Sequence, residues 1–590
     1  MRVKIKELML FFNKREKKKL VILFFMMIAA ALFETIGIGL IVPFVGIVTS
    51  PEMIQEQAVL NYLYNLFDFQ STTSFIIFAV ILLLAVFIIK NLYLLLFNYA
   101  QFRVILNQQV KLSRKLFNEY LTKPYTFHLQ RNTADLLRNV NGEVTRVFQG
   151  IVMSGFQLIT EFLVVTCILI LLLVTAPIAT IVASILLGGS VFLFFAILRK
   201  KISLLGKEQQ KVSGTMIKWV NQGLGASKEV KVSGKEKFFI DSYTGQSQIK
   251  ADNSRYMKML EIVPRLFIET LLVSFVLVTM LIIVFQGTGI AQMISTMALF
   301  AMAAFRLMPS ITRIVSLITK IRYSQPALSV VYEDLFMNND ETKNKISKKP
   351  KIINQGARTF EDSIKLNEVS FRYPNQEVYS IKDISLTIPI GQSVAFIGES
   401  GAGKTTLVDI ILGLFHPENG SVLVDGKNLF DQKALWQQKI GYIPQSIFLS
   451  DDTIRGNVAF GIDKEQIEDK EVWRALEQAQ LKEFIEGLPE GLETTVGERG
   501  VRLSGGQRQR IGIARALYHN PEILFMDEAT SALDNETEKE IMKAVDGLKG
   551  EKTLLIIAHR LSTIENCDIV FKISNGQLVA VENKRERSII

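Results

Sequence analysis

The sequence predicts two domains of different class: an α-helical transmembrane domain of six spans, and an α/β domain built on a phosphate-binding loop. Three observations predict them. Six apolar stretches, at 20–48, 75–97, 151–174, 178–198, 262–285 and 290–318, are each long enough to cross a hydrocarbon core about 30 Å thick. Of the loops between the stretches, only alternate ones carry basic residues, and GESGAGKT at 398–405 stands between a strand-like run and a helix-like one. A chain of 590 residues that is 49% hydrophobic yet carries a net charge of +10 must keep its charges out of lipid-facing segments.

The first apolar stretch is too long for a signal peptide and lacks a small-residue cleavage pattern, so it reads as a retained anchor. Residues 1–19 hold eight Lys and Arg, 98–150 another eight and 199–261 thirteen, whereas 49–74, 175–177 and 286–289 hold none. Positive loops stay cytoplasmic, which places both termini and the second domain in the cytosol and the spans in the inner (cytoplasmic) membrane. Residues 102–121 and 204–220 keep helical periodicity with polar faces and should carry the helices inward. The tips at 125–133 and 227–239 are candidates for contact with the second domain.

Between the first two spans, 53–67 places Val59, Leu60, Leu63, Leu66 and Phe67 on one helical face, which suits either an interfacial helix or a loop folded onto the bundle. The stretch 338–363 is rich in Asn, Lys, Asp and Ser without apolar periodicity and reads as a linker. The expected domains are therefore 1–337 and 364–590, joined by 338–363. Two cysteines, Cys167 and Cys567, leave no disulfide framework and no cysteine metal site. The pI near 9.2 follows from membrane topology, so no nucleic acid partner is expected.

Residues 393–397 form an apolar strand-like run, and 406–414 continue as a helix. The loop between them, Gly398, Glu399, Ser400, Gly401, Ala402, Gly403, Lys404 and Thr405, with Thr406 next, has the P-loop pattern. Its glycines let backbone N–H groups approach phosphate oxygens. Lys404 reaches the outer phosphates, the Thr405 hydroxyl holds Mg²⁺, and the helix N-terminus adds its dipole. The pattern predicts ATP and Mg²⁺ as cofactors but names no reaction, since kinases, GTPases and motors share it.

Further motifs narrow the class. LSGGQ at 503–507 precedes the strand-like run 523–526, which ends in Asp527 and Glu528. Tyr373 precedes the P-loop, Gln445 lies in GYIPQ, TVGERG spans 495–500, SALD ends at Asp534, and IIAHR contains His559. In this order the motifs resemble the ATP-binding cassette (ABC) family over about 366–578.

The resemblance implies a role for each. Tyr373 would stack on adenine, Thr405, Gln445 and Asp527 would hold the Mg²⁺ shell, and Glu528 would polarise the attacking water, with His559 at the γ-phosphate. It also implies that Ser504, Gly505, Gly506 and Gln507 complete the ATP site of an opposite subunit, with Asp534 nearby. A single cassette then needs a partner, most simply a second copy of itself; a heterodimer with another half-transporter stays open. His128, His416 and His519 have no motif around them and read as surface or packing residues.

Six spans and one cassette resemble an ABC exporter half-transporter, which implies outward transport coupled to ATP hydrolysis. Inside the spans lie Glu34, Lys90, Glu161, Arg265, Glu269, Arg306 and Arg313. Lys90 and Arg306 fall about 22–24 Å below the outer ends of their spans at 1.5 Å per residue, and Arg313 follows Arg306 by two turns. A cationic cavity of Lys90, Arg265, Arg306 and Arg313 suits a phosphate or pyrophosphate head group. The alternative is structural, with Arg265 pairing to Glu269 on its own helix and Arg313 seated in an interface.

LFETIGIGLIVPFVGI at 32–47, VPR at 263–265 and FRLMPSITRI at 305–314 resemble the flippases of lipid-linked oligosaccharides used in bacterial protein N-glycosylation. That resemblance implies flipping of a polyprenyl-pyrophosphate-linked oligosaccharide to the outer leaflet, with membrane lipid and the glycan carrier as partners. Lys90 departs from it, since the family pattern has arginine there. The rivals are a phospholipid or lipid A exporter and a peptide or drug exporter. An N-terminal peptidase of a peptide exporter is not expected, because no Cys/His pair occurs in residues 1–19.

Overall fold

The structure, a computed structural model, describes residues 2–49, 51–175, 177–285, 290–337, 360–527, 535–558 and 564–584. It divides into two compact units, one of Met1–Lys123 and Arg131–Lys345, the other of Pro124–Gln130 and Ile346–Ile590. The linker expected at 338–363 lies largely outside the described residues.

The first unit is helical. Its long helices among the described residues are Lys14–Gly39, Thr72–Thr122, Met153–Thr175, Pro177–Gly225, Glu236–Phe285 and Ile290–Tyr332. Lys14–Gly37, Thr72–Thr122 and Thr133–Ile170 are long and apolar enough to cross a membrane by length and composition. The second helix, with 51 residues, runs about 75 Å and so outreaches any bilayer. Its burial changes accordingly. Leu84, Ile89 and Leu95 are exposed on the apolar half, as lipid-facing residues are, whereas Gln101, Ile105, Gln108, Leu112, Leu116 and Tyr120 form a buried stripe at helical spacing on the inward half.

Interior packing joins distant helices. Ala31, Val164, Ile168 and Leu307 form one cluster, and Phe195, Ile202, Leu260, Ile268 and Val315 another. Gly206 permits a close helix approach, because a Cβ there would lie 2.3 Å from the Tyr323 carbonyl oxygen. The outer segment folds as Met53–Glu56 and Ala58–Leu66. Within Ala58–Leu66, Leu60 and Leu63 pack with Ile47, Ile54 and Phe75, while Val59 and Leu66 stay exposed.

The second unit is α/β. Strands β1 (Ser363–Phe371), β2 (Ile381–Pro389), β4 (Asn419–Val424) and β5 (Lys427–Asn428) form an antiparallel sheet in the order β2-β1-β4-β5. A six-stranded sheet runs β10-β9-β3-β8-β7-β6 from β3 (Ser393–Ile397), β6 (Ile440–Ile443), β7 (Ile523–Asp527), β8 (Thr553–Ile557), β9 (Ile569–Ser574) and β10 (Gln577–Asn583). All its pairings are parallel except β9 with β10.

Alternate residues of these strands feed two cores. Leu524, Met526, Leu554 and Ile556 join one, and Ile523, Phe525, Leu555 and Ile557 the other. A sheet buried on both faces explains why β7 and β8 read as continuous apolar runs. Parallel strands also bring their C-terminal ends to one edge, where ligands bind in such sheets.

Candidate functional site

Strand β3 is followed by Gly398, whose φ of 152° and position against β9 admit no side chain, since a Cβ would meet the Ile573 carbonyl oxygen at 2.1 Å. Gly403 (φ 101°) caps the helix Lys404–Ile411 and is equally closed, with the Ser380 carbonyl oxygen 2.7 Å from a Cβ. The loop between them therefore has one available path. Glu399, Ser400 and Gly401 are exposed along it, as is the Thr405 side chain at the helix start. Lys404 is buried and curls back, its Nζ donating to the carbonyl oxygens of Gly398 at 2.8 Å and Glu399 at 2.9 Å. The ammonium is thus held over the loop.

Tyr373 and Thr406 share a hydrogen bond of 3.0 Å, tying the segment after β1 to the P-loop helix. The Tyr373 ring stands edge-on to Phe415, which stacks on Phe371 at 4.8 Å and meets Tyr125 of the 124–130 segment at 5.8 Å. The expected tip at 125–133 is therefore divided, with Pro124–Gln130 grouped in the second unit and Arg131 onward in the first.

Asp527 closes β7 and is buried. Burial, and after it the Asp527 charge, pushes the carboxyl of Asp409 up to about 7. Sequence reasoning passed over Asp409, although it lies one helical turn beyond Thr405 and so on the same face of the P-loop helix.

Ser504 caps the helix Gly505–Leu517. Its hydroxyl accepts from the Gln507 N–H at 3.2 Å, while the Gln507 side chain accepts from the Ser504 N–H at 2.8 Å. This capping box occupies the N–H groups of Ser504 and Gln507 and leaves those of Gly505 and Gly506 at the exposed helix terminus. Glu528, Asp534 and His559 lie outside the described residues. Gln445 is exposed beyond β6, and His416 stacks on Phe430 at 3.9 Å, as a packing residue does.

The membrane-domain charges are not equivalent. Arg313 Nη1 pairs with the buried Glu161 at 2.8 Å. Lys90 lays its stem against Gly37, where a Cβ would lie 3.4 Å from Lys90 Cδ, and its Nζ sits 4.5 Å from the Phe87 ring centre. Arg265 is exposed, and among the described residues neither it nor Lys90 has an ion-pair partner. The pairing of Arg265 with Glu269 is therefore not formed. Arg306 falls within the helix Ile290–Tyr332, but its side chain lies outside the described residues.

A helical membrane domain joined to a P-loop ATPase with a separate, glycine-rich helix terminus defines an ATP-driven membrane transporter. Residues 20–307 match the family model of the ABC transporter transmembrane region and 381–531 that of the ABC transporter. The chain is 32% identical to an ATP-dependent lipid A-core flippase of Cupriavidus metallidurans, over 80% of this chain and 78% of that one. It is 31% identical to a protein of the same name from Saccharophagus degradans, over 87% and 85%. The fold matches a bacterial Atm1-family ABC exporter with ATP bound at a TM-score of 0.76 and 22% identity, covering 98% of this chain and 96% of that one. The chain belongs to the ABC transporter family. It is an exporter-type half-transporter that binds ATP, couples its hydrolysis to transport, and is a multi-pass membrane protein.

Proposed function

We propose that the protein flips a polyprenyl-pyrophosphate-linked oligosaccharide from the inner to the outer leaflet, working as a dimer of two copies with both termini and the ATPase in the cytosol. The observation that carries the substrate reading is the pair of basic side chains, Lys90 and Arg265, held in apolar helices without an ion-pair partner among the described residues. An uncompensated charge within an apolar span is costly, and an anionic head group offsets it. Arg306 and Arg313 would join them, Arg313 less freely because Glu161 already holds it.

In the ATP site, the N–H groups of 398–403 and Lys404 would cradle the phosphates, and Tyr373 would cover the adenine face. Thr405, Gln445 and Asp527 each offer an oxygen ligand, a donor set that fits Mg²⁺. That ion would neutralise charge on the phosphate oxygens. Glu528 would orient the attacking water, His559 would contact the γ-phosphate, and Ser504, Gly505, Gly506 and Gln507 of the second copy, with Asp534 near the junction, would close the site. Release of γ-phosphate then opens that junction.

A second reading has lipid A or a related phosphorylated glycolipid as substrate, and the names of the two relatives favour it. Both substrates present sugar-linked phosphate to the same cations, so purified lipids must separate them. In proteoliposomes, ATP-driven loss of polyprenyl-diphosphate glycan from the inner-equivalent leaflet supports the first reading. Transport of lipid A alone sinks it in favour of the second.

A further inference from the structure

Asp334 lies in the turn Glu333–Met337 that follows the sixth long helix, and only 5% of it is exposed. Tyr120, near the end of the second helix, donates its hydroxyl to Asp334 Oδ2. Asn139 Nδ2 donates to the same oxygen at 3.0 Å and to the Tyr120 hydroxyl at 3.1 Å, and Arg131 Nη2 lies 3.9 Å from Oδ1. One carboxylate at the exit of the sixth helix is thus bonded to residues on both sides of the segment Pro124–Gln130.

The cluster continues inward. Arg138 donates to Asn139 Oδ1 at 3.0 Å, to Asp135 at 2.8 Å and to the Gln210 carbonyl of the fourth helix at 3.3 Å. Glu143, 1% exposed, lies 3.7 Å from Arg138 and 3.4 Å from Arg146. A buried ionic network of this kind is a poor source of stability, since apolar residues of the same volume serve as well or better. It does fix one arrangement of the helices that share it. Tyr120 remains a donor, because burial and the Asp334 charge hold its phenol far above its ordinary range.

We propose that Asp334 is a positioning residue for the ATP-driven cycle: it clasps the exit of the sixth helix to both flanks of the 124–130 segment, so that displacement of this segment moves the helices as one body. The segment itself rests its Tyr125 ring on Phe415, two aromatic contacts from the P-loop helix partner Tyr373. Nucleotide-dependent movement there reaches the clasp directly.

The test uses the full chain in lipid nanodiscs and nucleotide alone, so its outcome does not depend on which lipid is transported. Hydrogen exchange is compared without nucleotide and with ATP plus vanadate. In the unaltered protein, exchange should change both around 398–411 and along 307–332. In Tyr120→Phe, which keeps the ring and loses only the hydroxyl, and in Asp334→Asn, the change at the ATP site should persist with KM for ATP within about twofold. The change along 307–332 should shrink by about tenfold in its opening equilibrium. Persistence of that response in both variants overturns the proposal. So does faster exchange along 307–332 before nucleotide is added, because that outcome marks a plain structural staple.

Discussion

Charge is handled in opposite ways in the two units. In the ATP-binding unit it converges: Lys404 is pinned over two loop carbonyls, and Asp409 and Asp527 are close enough that one raises the other. In the apolar spans of the membrane unit it is dispersed, with Arg313 given to Glu161 and Lys90 resting on Phe87. The first arrangement suits a triphosphate of fixed geometry, for which preorganised donors are the largest part of catalysis. The second suits a ligand that must also leave, since full preorganisation in a membrane would hold it.

The largest expected effect lies in the converged site. Glu528→Gln should lower ATP hydrolysis by about a thousandfold while nucleotide binding persists, because only polarisation of the water is lost. Turnover and bound nucleotide, measured together, check this; near-normal hydrolysis removes Glu528 from its role. The loop's single backbone path gives the next effect. Gly398→Ala forces a Cβ to within 2.1 Å of the Ile573 carbonyl oxygen, whereas Gly401→Ala, at φ 81° with open space around it, meets only backbone strain. The first should cost the ATP-binding unit about 3 kcal/mol or more, the second about 1 kcal/mol, read from thermal unfolding of the full chain. Equal effects would mean that the loop tolerates a second path.

The membrane charges should respond more weakly and unequally. Lys90→Gln and Arg265→Gln are each expected to lower substrate-lipid stimulation of ATPase by about tenfold, as loss of a charge-assisted contact to phosphate does. Arg313→Gln should cost about twofold, because Glu161 already spends part of that charge. A larger loss at Arg313 than at Lys90 would reverse the ranking and make Glu161 a gate on the cation.

How far each region was legible follows from the same contrast. Phosphate chemistry demands residues at fixed spacing, so 398–406 and the LSGGQ run at 503–507 could be read as motifs, and the strand-loop-helix context around 398–406 matched. Asp409 escaped because its importance comes from β7, more than a hundred residues away in sequence. In the membrane domain, hydropathy shows where helices run but not which faces meet. The pairing of Arg313 with Glu161 spans 152 positions, and no periodicity reports it. The outer segment shows the same limit: Leu60 and Val59 look alike in sequence, yet one packs and the other does not. The Asp334 clasp was invisible for a further reason, since its three partners, Tyr120, Arg131 and Asn139, lie about two hundred positions before it with no motif.

The smallest effect tests how finely the converged site is built. Tyr373 has two separable functions, a ring that would cover adenine and a hydroxyl bonded to Thr406 at 3.0 Å. Thr406 directly follows Thr405, so the hydroxyl fixes the ring relative to the P-loop helix. Tyr373→Phe keeps the ring against Phe371 and Phe415 and deletes only this bond, worth about 1 kcal/mol. KM for ATP should rise about fivefold with kcat unchanged, since the bond orders the site before binding and takes no part in phosphoryl transfer. Tyr373→Leu removes the ring as well and should raise KM further. Indistinguishable KM values for Tyr373→Phe and the unaltered protein would show that packing on Phe415 alone sets the ring, and with it that the contact reaching Tyr125 matters more than the one reaching Thr406.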